Sequence, residues 1–320
     1  MNDMQPSQIP SFLNRLFLSP NEPRLRAGWR LLLQTLLMLL IGGCLSILLI
    51  PLLFIFSPSP IALLENIPPE LMLLSVLGEV IAVTVSVFLA RRFLDRRSIE
   101  SLGLKLDVRA LADLLVGILI TFLQMGLIYL LMSFLDWIRF EGFAWEFDPL
   151  SLVLQNTLLF LLIFVGVAWS EELLSRGYHL QTIASGMNLF WGVLLSSAIF
   201  GILHLGNPGA NWASTLGIFL AGIFFAYGYL RTRQLWLPIG MHLGWNFFEG
   251  VVFGFPVSGL DIYPLTRIQV MGPELWTGGE FGPEAGLIVI PALIVGALLI
   301  YFYTGRRADD DSPAAGTNSS

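Results

Sequence analysis

Uninterrupted apolar runs of about twenty residues or more recur along this chain from Ala27 onward. Hydrocarbon offers backbone amides no hydrogen-bond partners, so such runs cross a bilayer as helices whose bonds are internal. Only 12% of the residues are charged, against roughly a quarter in soluble domains. The expected fold is therefore all-α, a polytopic integral membrane protein. Run lengths predict about eight transmembrane helices, near 28–56, 70–92, 110–135, 150–172, 189–205, 212–230, 236–254 and 284–304.

The cations orient this bundle. Arg15, Arg24, Arg26 and Arg30 precede the first run, and Arg91, Arg92, Arg96, Arg97, Lys105 and Arg109 lie between the second and third. Arg231 and Arg233 follow the sixth, and Arg306 and Arg307 follow the eighth, so 14 of the 17 basic residues share one side. The positive-inside rule then places both termini in the cytoplasm of a multi-pass cell-membrane protein. An even number of spans agrees. Trp29, Trp137, Trp212 and Trp236 fall at span ends, where interfacial anchors belong.

Other features set boundaries. The net charge of −6 says little, because Asp309, Asp310 and Asp311 supply half of it. The first run is too long and starts too late for a cleaved signal peptide. The single cysteine, Cys44, has no intrachain partner. No basic, aromatic-interleaved patch points to nucleic acid. Residues 1–27, with Pro6, Pro10, Pro20 and Pro23, read as a mobile or interfacial segment. Residues 28–304 form the membrane domain, and 305–320 read as a disordered polar tail. The Gly- and Pro-rich stretch 255–283 reads as an extracytoplasmic cap.

Against this apolar background a few ionisable side chains stand out. Charged groups at bilayer depth are expensive and by default mark function. The first cluster is Glu171-Glu172-Leu-Leu-Ser-Arg176, and His204 and His242 follow in apolar contexts. A turn is expected at Ser185-Gly186-Met187-Asn188, where Gly and Asn stop a helix. Glu171 and His204 lie about equally far on either side of it, so antiparallel helices bring them to one height. The helix before the turn would be about 36 residues long at this spacing, and its last turns, Ser175 to Ser185, are polar enough to project into the cytoplasm. His242 and Asn246 are i, i+4 on one face, and Gly240 and Gly244 permit close helix approach. Glu172 and Arg176 are i, i+4 with the acid first, the better orientation for an ion pair, which leaves Glu171 for another partner.

A carboxylate and a histidine sharing a water make a general base pair, or metal ligands. A histidine and an amide can donate to an oxyanion. On spacing alone three readings stay open: a hydrolase, a transporter or channel that uses the cluster for coupling, and a structural or interaction protein. Glu79 and Glu249 read as hydrogen-bonded structure or rim, and His179 as an interfacial histidine. Phe219, Phe224 and Phe225 read as helix packing or lipid contact.

Glu171-Glu172-x-x-x-Arg176, Phe200-x-x-x-His204 and His242-x-x-x-Asn246, in that order, resemble the three-motif signature of the CPBP family. That family includes the type II CAAX prenyl endopeptidases and the bacteriocin-processing or immunity (Abi) proteins. The resemblance covers about 150–255, with a weaker likeness at Leu102-Gly103-Leu104. It implies an intramembrane endopeptidase with a cavity open to the cytoplasmic side. By carry-over, Glu171 and His204 activate a water, His242 and Asn246 stabilise the oxyanion, and Glu172 and Arg176 support the site. The substrate would be a membrane-associated protein or peptide, lipidated or not. Two histidines with one or two glutamates could also bind zinc. The resemblance favours no cofactor, and the residues do not decide. A reporter fused after Arg307 should behave as cytoplasmic and one inserted in 255–283 as external. The opposite pattern would invert the orientation.

Overall fold

A computed structural model describes residues 12–20, 22, 24–56 and 68–310. Helix α1 spans Phe12–Phe17, α2 Ala27–Phe56, α3 Pro69–Leu89 and α4 Val108–Phe134. Helix α5 begins as Leu150–Glu172 and continues through a π-helical stretch, Leu173–Leu180, to Gly186. Helix α6 is Leu189–Leu203, α7 Trp212–Thr232, α8 Trp236–Asn246 and α9 Val289–Asp310. A π-helical extension carries α8 on to Val252. Strands β1, Ile138–Phe143, and β2, Thr266–Val270, form an antiparallel ribbon with a bulge between Phe140 and Gly142. The 255–283 stretch is thus partly a strand paired with the α4–α5 connection.

The chain is an integral membrane protein of all-α class. Among the described residues six helices are long and apolar enough to cross a membrane, including the 37-residue run Leu150–Gly186. Two of the eight expected spans fall short of that standard. Residues 284–288 precede α9, whose apolar part, Val289–Gly305, is a shorter helix. Helix α8 is short because it is internal: nine of its eleven residues are buried. A helix enclosed by other helices need not match the lipid thickness.

Helix α8 packs chiefly against α4. Gly240 and Gly244 lie where the two backbones meet: a Cβ on Gly240 would run into the Leu114 carbonyl, and one on Gly244 into Thr121 Oγ1. Gly117 faces back, and a Cβ there would meet the Leu237 carbonyl. Without a hydrophobic driving force between helices in lipid, such close van der Waals contact is what holds them. A buried cluster of Val87, Leu173, Tyr178, Ala226 and Leu235 joins α3, α5 and α7 to the start of α8.

The turn after α5 lies where Gly186 and Asn188 suggest, and Asn188 caps α6 by accepting from the Trp191 N–H at 3.1 Å. The polar end of α5 is enclosed by neighbouring helices as far as Leu180, while Ser185 and Gly186 at its tip are exposed. Ser175 through Leu180 are all buried, and His179, read as interfacial, is only 7% exposed. The N-terminal expectation also changes from residue 12 on, residues 1–11 lying outside the described ones. Leu18 and Leu25 bridge, and buried Arg24 pairs with Asp95 beyond α3 at 3.5 Å. Helix α9 carries the polar tail as helix to Asp310, and 311–320 lie outside the described residues.

Gly240→Ala should lower thermal stability in detergent by about 1–3 kcal/mol through overpacking. Gly78→Ala, where a Cβ meets nothing within 4 Å, is the matched control and should not.

Candidate functional site

The polar residues singled out in sequence meet in one place. Helix α5 supplies Glu171, Glu172 and Arg176, α6 ends at His204, and α8 supplies His242 and Asn246. The Glu172–Arg176 pair forms as spaced, with Nη1 to Oε1 at 2.8 Å and both residues at most 1% exposed. Arg176 Nη2 also donates to the Gly222 carbonyl of α7 at 2.9 Å. Its guanidinium lies 4.4 Å from the Phe200 ring centroid and 5.2 Å from that of Phe225. The phenylalanine stripe of α7 is thus partly a wall of the site rather than only packing.

Glu172 has a second partner that spacing did not reveal: His242 Nδ1 lies 2.9 Å from the same Oε1. The His242 ring stacks on Phe225, with centroids 5.1 Å apart and planes 14° apart. His204 Nδ1 lies 2.8 Å from the Phe200 carbonyl. A carboxylate and a carbonyl only accept, so each Nδ1 carries a proton, and in the neutral ring Nε2 is the acceptor. Both Nε2 atoms face Glu171 Oε2, each at 3.8 Å. That is too long for a direct hydrogen bond and suits groups sharing a third oxygen.

Asn246, 7% exposed, sits one turn beyond His242. Glu171, His204, His242 and Asn246 all line one cavity of about 350 Å³, with Phe200, Phe225 and Trp245 among its apolar walls. Glu79 and Leu203 are its exposed residues, Leu203 at 60%. The mouth therefore lies at the flank of the bundle, between α3 and the end of α6. The buried Glu172 and Arg176 lie behind its wall and do not line it. At the other end Val257, Ser258, Leu260 and Glu284, from the stretch preceding α9, close it.

Glu284 was missed. It is 5% exposed, with Oε1 accepting from Trp245 Nε1 at 3.1 Å and Oε2 from Ser258 Oγ at 2.6 Å. It lies in an irregular Gly- and Pro-rich stretch with no periodicity to mark it. The one local signal is its company of glycines, which let the stretch enter the bundle. A Cβ at Gly217 of α7 would strike the Glu284 carbonyl. Glu79 stands at the rim. Glu249 differs from expectation: it is fully buried, and neither oxygen has a hydrogen-bond partner among the described residues.

Among the described residues no group of three or more His, Cys, Asp or Glu side chains is arranged to hold a metal ion. With ligand bonds of about 2.0–2.2 Å, neighbouring donors of tetrahedral zinc stand roughly 3.4 Å apart. The 3.8 Å separations here are wider.

Residues 153–248 match the family model described as type II CAAX prenyl endopeptidase Rce1-like. That stretch of the chain is similar to the endopeptidases so described. The Bacillus subtilis (strain 168) protein named "Putative membrane peptidase YdiL" is 32% identical over 101 residues, covering 32% of this chain. The match spans 39% of that protein's length, well under half. The matched region runs from α5 into the end of α8 and contains all six motif residues.

Arg176→Ala would leave the buried Glu172 carboxylate without its cation. Breaking such a pair costs about 3–5 kcal/mol. Thermal unfolding in detergent should show that loss alongside any loss of activity. Unchanged stability would instead give Arg176 a role in direct contact with a bound molecule.

Proposed function

We propose that the protein is an intramembrane endopeptidase that hydrolyses a peptide bond in a membrane-associated protein or peptide, lipidated or not. One observation carries this reading. A carboxylate oxygen and two imidazole nitrogens converge at 3.8 Å on the wall of a cavity inside an apolar helical bundle. The family match and the peptidase name of the relative support it.

In the proposed reaction Glu171 and His204 take a proton from a water as its oxygen attacks the scissile carbonyl carbon. The oxyanion that forms accepts hydrogen bonds from His242 and Asn246. Donation from His242 Nε2 while Nδ1 faces Glu172 requires the doubly protonated ring, and the Glu172 carboxylate offsets its charge. The tetrahedral intermediate then collapses, the C–N bond breaks, and the held proton passes to the leaving amine. The mechanism is metal-free. The wide donor spacing supports this. The membrane domain is the working unit, with both termini cytoplasmic.

Purified Glu171→Ala and His204→Ala proteins should remain folded and lose cleavage of a peptide that wild type processes. His242→Ala and Asn246→Ala should each lower turnover by about 10²–10³-fold, the usual effect of losing one oxyanion donor. Wild-type protein that instead drives solute flux abolished by Glu171→Gln would make it a transporter. Stoichiometric zinc whose removal stops cleavage and whose return restores it would overturn the metal-free step alone.

A further inference from the structure

A second cavity, of about 840 Å³, lies at the basic end of the bundle and shares no lining residue with the first. Its polar end is formed by the start of α2, with Arg26, Trp29 and Arg30, and by Ser185 at the end of the α5 run. Its apolar wall runs along Leu31 and Leu32 of α2 and Leu195, Ala198, Ile199 and Ile202 of α6. From Leu195 to Ile202 is about 10 Å of helix. Leu32 and Ile202 are 46% and 57% exposed, so the groove is open along its side.

The charges at its head are unbalanced. Arg24, Arg30 and Arg91 all pair with the single Asp95 carboxylate. Glu22 pairs with Arg24 and Arg97. Four guanidiniums thus face two carboxylates, and the exposed Arg26 adds a fifth. Arg30, 2% exposed, lines the cavity and leaves its Nε–H without a hydrogen-bond partner. The first turn of α2 contains no acid, although the amino end of a helix is itself positive and its first N–H groups have no intrahelical acceptor. Arg30 N–H donates to the Arg26 carbonyl, so Ala27, Gly28 and Trp29 form that open turn. Cations at the positive end of a helix call for an anion.

We propose that this cavity binds one anionic phospholipid of the leaflet on the basic side. Its phosphate lies against Arg26, Arg30 and the first turn of α2, and an acyl chain lies in the groove between α2 and α6. A soluble anion would satisfy the head and leave the apolar wall bare. A zwitterionic lipid would bring its own cation to a site already rich in them.

The test uses the full-length protein in a neutral detergent, followed by native mass spectrometry. It is titrated with phosphatidylglycerol or phosphatidylcholine of equal chain length. Wild type should retain one phosphatidylglycerol in preference to phosphatidylcholine. Arg26→Gln, at an exposed position, should weaken that binding about fivefold, the effect of one basic residue near an anionic surface. Ala198→Trp should fill the groove and remove the bound lipid, with folding checked by an unchanged Tm. Inorganic phosphate at the same concentration should not compete. Equal retention of both lipids, full binding by Arg26→Gln, or displacement by phosphate would each overturn the proposal. None of these outcomes depends on whether the protein cleaves peptides.

Discussion

The Glu172 carboxylate, wholly buried, is shared between the Arg176 guanidinium on its own helix and the His242 ring on α8. Arg176 passes the connection on to the Gly222 carbonyl of α7. Three helices are thereby tied through one charge that would be intolerable alone in a low-dielectric interior. The orientation of His242 follows, because with Nδ1 held its Nε2 has one direction to point. The rings of Phe200 and Phe225 cover the guanidinium and keep it from water. The geometry of the cavity wall therefore depends on a carboxylate that does not itself line the cavity.

Relations within one helix, or across one tight turn, could be read from the chain. The Glu172–Arg176 pair, the facing of Glu171 and His204 about Gly186, and the glycine contact at 240 and 244 all follow from helical period and rise. What stayed hidden depends on contacts between distant segments. Nothing near Glu172 tells that residue 242 will share its oxygen. Nothing in the polarity of Ser175 to Leu180 tells that neighbouring helices will enclose them. Apolar run length also does not tell an enclosed helix such as α8 from one that faces lipid.

The irregular stretch before α9 belongs to the site as well as to the surface. It brings Glu284 down to Trp245 and Ser258, and Trp245 stands between His242 and Asn246 in sequence. A cap that only covered the bundle would not need to bury a carboxylate. The close approach at Gly217 shows how deeply this segment enters, and it explains why a residue with bulk could not occupy that position.

The mouth between α3 and the end of α6 opens on the flank of the bundle, beside Glu79 and the exposed Leu203. A substrate of the proposed kind, already held in the bilayer, would reach that flank without leaving the lipid. Its encounter rate is then set by lateral diffusion and by how strongly it partitions into the bilayer. Dilution of the surrounding water changes neither. Crowding within the membrane plane, bilayer thickness and lipid fluidity become the variables that govern access.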